Sequence, residues 1–223
     1  SDFIIVWVGN PSYTRIPDIH FMHEARYRGA KLVVIAPDYN ATAVHADYWI
    51  NPQIGTDAAL ALAMAQVIVE ENLYKEDYVR EQTDLAILVR DDTKRYLRAA
   101  DLSATGGKDV LQFWDEAGDR LAVVPGCEGE GSTSLALGSL RPALTGRREV
   151  TLADGKTVGV RPLFDVLRAH LDNGYRPEQA AKVTGVTPAT IRRIARELAK
   201  ANSAMIFSSW GACKHYHSDL FQR

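Results

Sequence analysis

Two unbroken apolar runs near the start of the chain predict buried strands of a parallel sheet. Residues 3–8 form the first run, which ends in Gly9-Asn10-Pro11, and residues 31–36 form the second, which stops at Pro37-Asp38. Strands that are buried on both faces have this continuous apolar pattern. Apolar positions between about Ile19 and Arg28 predict a helix between the two strands. The opening segment is therefore typical of a βαβ unit.

The rest of the chain predicts further helices and strands around a less regular middle. A short strand at 46–50 precedes an Ala-, Leu- and Met-rich helix at 58–71, which Thr56 or Asp57 would cap. Residues from about 91 to 148 have weak periodicity and predict mostly loop. The Asp154-Gly155 pair predicts the turn of a β-hairpin. The other predicted elements are helices at 74–83, 163–173, 177–183 and 187–201, and a strand at 203–208.

These elements together predict an α/β fold with a doubly wound, mostly parallel sheet and a less regular insertion that contains a β-hairpin. We expect residues 1–100 to form the first part of the α/β domain, 101–162 the insertion, and 163–223 a helical segment with a return strand. The chain begins at Ser1 without a methionine and stops soon after a histidine-rich segment. We interpret it as part of a longer polypeptide.

Composition narrows the function classes. The 223 residues have a formal net charge of −2, which gives no reason to expect nucleic acid as a partner. The sequence contains no apolar run of about 18 residues, so we expect no direct membrane insertion. Two cysteines, Cys127 and Cys213, are too few for a four-cysteine iron–sulfur cluster, and we expect free thiols.

The turns after the predicted strands carry the candidate chemistry. Nucleotides dock at the carboxyl edge of open α/β sheets, where Gly9 and Asn10 would offer backbone amides and a carboxamide. Asp38 follows the second strand and is suited to ribose hydroxyls, although a simple turn residue is an equal alternative. Asp57 could hold the donors of a guanine or cap its helix. The pattern is not G-x-G-x-x-G, so the usual dinucleotide motif is absent.

Two other classes of function remain open. The segment 177–201 resembles a helix-turn-helix whose second helix carries Arg192, Arg193 and Arg196, which would suit a DNA-binding regulator. A generic nucleotide-binding module is the other alternative. The six histidines lack any zinc-binding spacing, and we interpret them as surface or packing residues.

Five ordered blocks of sequence resemble the DMSO reductase family of molybdopterin oxidoreductases. The blocks span residues 4–21, 24–40, 46–64, 78–90 and 185–196. The sequences at 13–18, 36–39, 81–84 and 214–219 are most similar to one branch of this family. That branch contains respiratory nitrate, selenate, chlorate and perchlorate reductases, dimethyl sulfide dehydrogenase and ethylbenzene dehydrogenase.

The resemblance implies that the chain binds the guanosine end of a bis(molybdopterin guanine dinucleotide) cofactor that carries molybdenum. The implied cofactor-binding residues are Gly9, Asn10, Pro11 and Thr14 at the pyrophosphate and pterin side, Pro37, Asp38 and Asn40 along ribose and guanine, Gly55, Thr56 and Asp57 at the guanine edge, and Trp210, Gly211 and Lys214 in a loop near the metal. No catalytic residue and no metal ligand are expected within these 223 residues.

The resemblance also implies the nature of the parent enzyme. Its iron–sulfur cluster and its molybdenum-ligating aspartate would precede this segment, so we expect the segment to be inactive alone. The parent would perform two-electron oxygen-atom transfer or hydroxylation in anaerobic respiration. We expect an iron–sulfur electron-transfer subunit and a haem b subunit as partners, besides the rest of the catalytic subunit. The periplasm is the expected compartment, and the cytoplasmic face of the inner membrane is the alternative.

Overall fold

The computed structural model describes residues 1–127 and 136–215. The strands are β1 (Phe3–Trp7), β2 (Lys31–Ile35), β3 (Tyr48–Ile50), β4 (Leu88–Arg90), β5 (Gln112–Asp115), β6 (Arg120–Val123), β7 (Arg148–Thr151), β8 (Thr157–Pro162) and β9 (Ala204–Ser208). The α-helices are α1 (Pro11–Thr14), α2 (Ile16–Tyr27), α3 (Asp57–Glu70), α4 (Glu76–Gln82), α5 (Ala99–Leu102), α6 (Leu163–Gly174), α7 (Pro177–Thr184) and α8 (Pro188–Lys200). Within the described ranges, no helix is long and apolar enough to cross a bilayer.

The first of two compact units contains the parallel sheet. It comprises Ser1–Leu73 and the described residues from Leu171 onward. Its strand order is β3-β2-β1-β9, and each neighbouring pair is parallel. The pairing joins Phe3 to Lys31 on one side and to Ala204 on the other. The predicted parallel sheet is therefore confirmed, with the first strand in its interior.

Alternating side chains of β1 and β2 bury both faces of this sheet. Ile5 and Val33 face one apolar core, which α3, α7 and α8 complete. Ile4 and Val34 face the other core, where α2 packs. All four side chains are at most 2% exposed. Burial on both faces explains why the two strands have continuous apolar sequences, and it confirms the doubly wound architecture.

The second unit, Tyr74–His170, is built from small antiparallel sheets. One sheet has the order β4-β8-β7, and β5 pairs with β6 in a separate hairpin. The predicted hairpin is confirmed as β7 and β8, with Gly155 at a φ of +83° in its turn. The expectation of mostly loop between 91 and 148 was wrong at α5, β5 and β6. An element of four residues is too short for a helical or strand period to be detected in its sequence.

Candidate functional site

The carboxyl ends of β1, β2 and β9 lie at one edge of the parallel sheet, because the three strands run in the same direction. β1 lies between β2, which is the next strand along the chain, and β9, which follows about 200 residues later in the sequence. The direction of strand succession therefore changes beside β1. Open α/β sheets bind ligands in the crevice at such a switch point. The turns that follow β1 and β9 form the centre of the candidate site.

The turns after β1 and β9 approach each other very closely. Val8 has a φ of 52°, which is unfavourable for a β-branched residue, and its amide donates to the Ile35 carbonyl at 2.8 Å. A Cβ on Gly9 would lie 3.1 Å from the Cβ of Ser209, and a Cβ on Gly211 would overlap the Val8 side chain. Only glycine fits at 211 without movement. Such backbone strain is found at ligand-binding sites more often than elsewhere.

A buried hydroxyl connects the turn after β1 to the loop after β2. Thr42 is 0% exposed, and its Oγ1 donates to Asn10 Oδ1 at 2.9 Å. The Ser12 amide donates to the same Thr42 oxygen at 3.2 Å. Asn40 Oδ1 accepts from the Thr42 and Ala43 amides at 3.0 and 3.2 Å. The structure therefore brings together two predicted site residues, Asn10 and Asn40, through a residue that was not predicted.

Asp57 begins α3 and is held by an indole from the central strand. Trp7 is 3% exposed, and its Nε1 donates to Asp57 Oδ1 at 2.8 Å. Thr56 occupies the N-cap position but makes no side-chain capping bond. Its hydroxyl donates instead to the Gln53 carbonyl at 2.7 Å, in a turn where Gly55 has a φ of +82°. The Asp57 carboxylate is thus fixed at one oxygen and half-buried.

The loop after β2 places two more predicted residues at the same edge. Pro37 and Asp38 are exposed and directly follow the buried residue Ala36. Trp49 Nε1 donates to the Ala36 carbonyl at 3.1 Å. The ring of Tyr39 lies edge-on to the Trp49 ring, at a centroid distance of 5.2 Å. The aromatic pair supports this loop from the β3 side. Asp38 is accordingly available to a ligand.

The remaining predicted residues lie in α1 and in the turn after β9. Pro11 is buried at the start of α1, and the Thr14 hydroxyl donates to the Asn10 carbonyl at 3.0 Å. Thr14 therefore closes the turn of α1.

Trp210 and Lys214 delimit a 3-10 helix that follows β9. The Lys214 ammonium lies 5.8 Å from the centroid of the Trp210 ring, which is 74% exposed. A Cβ on Gly55 would lie 3.8 Å from the His215 ring. The turn after β9 thus reaches the turn that precedes α3.

The arginines of α8 do not form a free basic surface. Arg192 pairs with Glu178 at 2.8 Å, and Arg196 pairs with Glu71 at 2.7 Å. The hydrogen bond from Arg196 lowers the pKa of the Glu71 carboxyl. The Arg193 guanidinium lies over the Tyr48 ring, 4.1 Å from the ring centroid. Carboxylates thus pair with two of the three arginines on which the DNA-binding hypothesis depends, and the third packs on an aromatic ring.

The two histidines of α2 differ in burial, since His20 is exposed and His23 is partly buried. The His23 and His45 rings lie 4.7 Å apart at an interplanar angle of 80°, and burial lowers the pKa of His23. In the part of the chain that the structure describes, no group of three or more metal-binding side chains occurs.

Sequence reasoning missed Trp7, Val8, Ser12 and Thr42. The sequence offers one signal for Trp7, which is the only indole within the first apolar run and stands one residue before its carboxyl end. Thr42 follows a turn and carries no pattern of its own. Its role depends on a contact between two loops separated by 30 residues.

Comparisons with known proteins place the whole chain in one family. The description of the matching family is "Molybdopterin oxidoreductase", and the match covers residues 1–223. The chain is 43% identical over its full length to perchlorate reductase subunit alpha of Dechloromonas aromatica (strain RCB), covering 26% of that protein. It is 39% identical over 94% of its length to dimethylsulfide dehydrogenase subunit alpha of Rhodovulum sulfidophilum, covering 22% of that protein. The chain thus spans about a quarter of the length of these curated relatives.

A solved structure has the same fold. Acetylene hydratase from Pelobacter acetylenicus matches 95% of this chain with a TM-score of 0.53 and 18% identity, and the match covers 18% of that protein. At this identity the likeness concerns the fold alone.

Proposed function

The chain belongs to the molybdopterin oxidoreductase family, and we propose that it binds the guanosine end of molybdopterin guanine dinucleotide within a longer catalytic subunit. The observation that carries the proposal is the Asp57 carboxylate, which Trp7 holds at one oxygen beside the carboxyl edge of the sheet. A guanine presents N–H donors at N1 and N2, and a carboxylate accepts hydrogen bonds at both oxygens. The Trp7 bond leaves Oδ2 and one lone pair of Oδ1 for the base.

The strained turn at Val8-Gly9 fits the pyrophosphate. The turn lies at the switch point of the sheet, where a side chain on Gly9 would crowd Ser209. Backbone amides and the Asn10 carboxamide are donors that match phosphate oxygens. Asp38 and Asn40 follow β2 and carry acceptors suited to ribose hydroxyls.

The two remaining predicted segments complete the proposed site. Pro11 and Thr14 shape the turn beneath the pyrophosphate, and Trp210, Gly211 and Lys214 approach from the turn after β9. The Lys214 ammonium would add positive charge near the phosphates. When bound, the cofactor supplies two-electron redox chemistry at molybdenum, while this chain supplies position and electrostatics.

The parent enzyme follows from the same proposal. It would transfer an oxygen atom or hydroxylate its substrate, and it would pass electrons through an iron–sulfur cluster to partner subunits. Large apolar side chains such as Tyr13, Phe21 and Tyr27 are more than 70% exposed in the described part of the chain. Exposed apolar surface of this kind is typical of sites that contact other protein. We propose that other parts of the catalytic subunit cover them.

The test measures guanine nucleotide and molybdenum per chain in the purified full-length subunit. Asp57→Ala removes the acceptors for the base and should lower guanine content by about tenfold or more, since each hydrogen bond to a charged group contributes about 1.5–3 kcal/mol. Glu178→Ala is the matched control, because Glu178 is an acidic residue in the first turn of α7 that pairs with Arg192. This control should keep the wild-type content. Equal guanine content in all three proteins would contradict the proposal.

A further inference from the structure

Asn10 occupies the N-cap position of α1 but does not cap it. An asparagine at this position ordinarily accepts a hydrogen bond from the second or third amide of its helix. Here the second amide, that of Ser12, donates instead to Thr42 Oγ1 at 3.2 Å. A threonine from another loop thus takes over the capping role, and the Asn10 side chain is released from it.

The hydroxyl protons around Thr42 can be assigned from their partners. Thr42 Oγ1 lies 2.9 Å from Asn10 Oδ1 and 3.0 Å from Ser12 Oγ. A hydroxyl has one proton to donate, and an amide oxygen can only accept. Thr42 therefore donates to Asn10, and Ser12 donates its own proton to Thr42. The oxygen end of the Asn10 carboxamide is fixed toward the buried threonine.

The nitrogen end of the same carboxamide is left for another partner. Among the described residues, Asn10 Nδ2 donates no hydrogen bond, and Asn10 is only half-buried. Thr42 itself cannot turn away, because its amide is held by Asn40 Oδ1 at 3.0 Å and its side chain is fully buried. The orientation of the Asn10 amide is therefore set before any ligand arrives.

We infer that Thr42 is a positioning residue, which caps α1 in place of Asn10 and directs the Asn10 NH2 group toward the cofactor's pyrophosphate. The inference rests on the proposed function, since the phosphate is the anion that this donor would meet. Pre-oriented donors lose less conformational entropy on binding, which strengthens their contribution to affinity. Thr42 acts through Asn10 and does not itself touch the ligand.

The test uses the full-length subunit and three substitutions of buried threonines. Thr42→Val keeps the shape and removes the hydroxyl, and it should lower releasable guanine nucleotide by about tenfold. Thr42→Ser keeps the hydroxyl and should restore the wild-type content. Thr184→Val is the matched control, because Thr184 is also 0% exposed and its hydroxyl donates to Ala180 at 2.9 Å and accepts from Val186 at 3.2 Å. It should lower the unfolding midpoint as much as Thr42→Val does and keep the nucleotide.

Asn10→Asp is a second test of the inference, which applies even if Thr42→Val fails to fold. Aspartate keeps an acceptor for Thr42, so the unfolding midpoint should stay near that of the wild type, but it replaces the outward donor with an anion. Its guanine content should fall at least as far as that of Thr42→Val. Wild-type content in Asn10→Asp, or equal losses in Thr42→Val and Thr184→Val, would overturn the inference. Retained nucleotide in Thr42→Val beside a loss in Asp57→Ala would overturn this inference alone, whereas no loss in either variant would reject the proposed function as well.

Discussion

The two units of the chain are stabilised in different ways. In the first unit, β1 and β2 contribute side chains that are almost wholly buried on both faces of the sheet. In the second unit a small apolar cluster around Leu88 and Val160 is accompanied by a dense set of ion pairs. Asp91 accepts from Arg147 and Arg161, each at 2.8 Å. The packed core of the first unit supports a strained turn at the edge of the sheet, at Val8.

The largest expected effect tests the apolar basis of the first unit. Ile5 is 0% exposed in β1, and its register partner Ile206 in β9 is 53% exposed. Ile5→Ala should lower the free energy of unfolding by about 2–5 kcal/mol, because it removes buried methylenes and leaves a cavity. Ile206→Ala should cost below about 1 kcal/mol. Urea denaturation with hydrogen exchange at β1 measures both, and equal costs would show that burial does not dominate this unit.

An intermediate effect tests the ion pairs of the second unit. Hydrogen bonds from Arg161 and Arg147 lower the pKa of the Asp91 carboxyl. Its contribution to stability is therefore complete above the ordinary aspartate pKa of about 4 and is lost as the pH falls below that value. Asp91→Asn should lower the free energy of unfolding at pH 7 by about 1–3 kcal/mol.

Acid and salt titrations provide the control for that prediction. The difference between Asp91→Asn and the wild type should shrink as the pH falls from about 4 toward 2, and it should also shrink at high salt. The cost of Ile5→Ala should not follow either change. A pH-independent difference for Asp91 would show that the ionisation of its carboxylate does not stabilise the second unit.

The smallest expected effect lies where the first unit carries its buried polar contacts. Trp7→Phe removes the donor to Asp57 and should lower the free energy of unfolding by about 1–2 kcal/mol. Trp114→Phe is the control, because the Trp114 indole donates to Asp119 at 3.1 Å in an exposed setting. It should change stability by less than about 0.5 kcal/mol. An equal loss of unfolding free energy in both variants would mean that the Trp7–Asp57 bond stabilises the protein no more than the exposed Trp114–Asp119 bond.

Sequence patterns predicted the parallel sheet well, because strands that are buried on both faces, such as β1 and β2, have continuous apolar sequences. The β7–β8 hairpin was also predictable from Asp154-Gly155, whose turn needs a glycine with positive φ. The β5–β6 hairpin was missed. Its strands have four residues each, and its turn uses Asp119 at a φ of 46°, which is a weaker signal than glycine.

The candidate site was predictable by position but not by contact. Gly9, Asn10 and Asp57 follow or precede recognisable elements, so their place at the edge of the sheet could be predicted. Their partners Trp7 and Thr42 could not be, because side-chain hydrogen bonds between separate loops depend on the assembled fold. The resemblance to a family implied which residues bind a ligand, and the structure adds the residues that contact them.

The pairing of β1 with β9 has a consequence for synthesis on the ribosome. Phe3 and Ala204 are register partners, although 201 positions separate them in the chain. At an elongation rate of about 5–20 residues per second, roughly 10–40 s pass between the synthesis of the two strands. During that time the second unit is made and can fold, while one edge of β1 still lacks its neighbour. Within these residues β1 is thus translated long before β9, and its hydrogen bonding is completed only when β9 has been made.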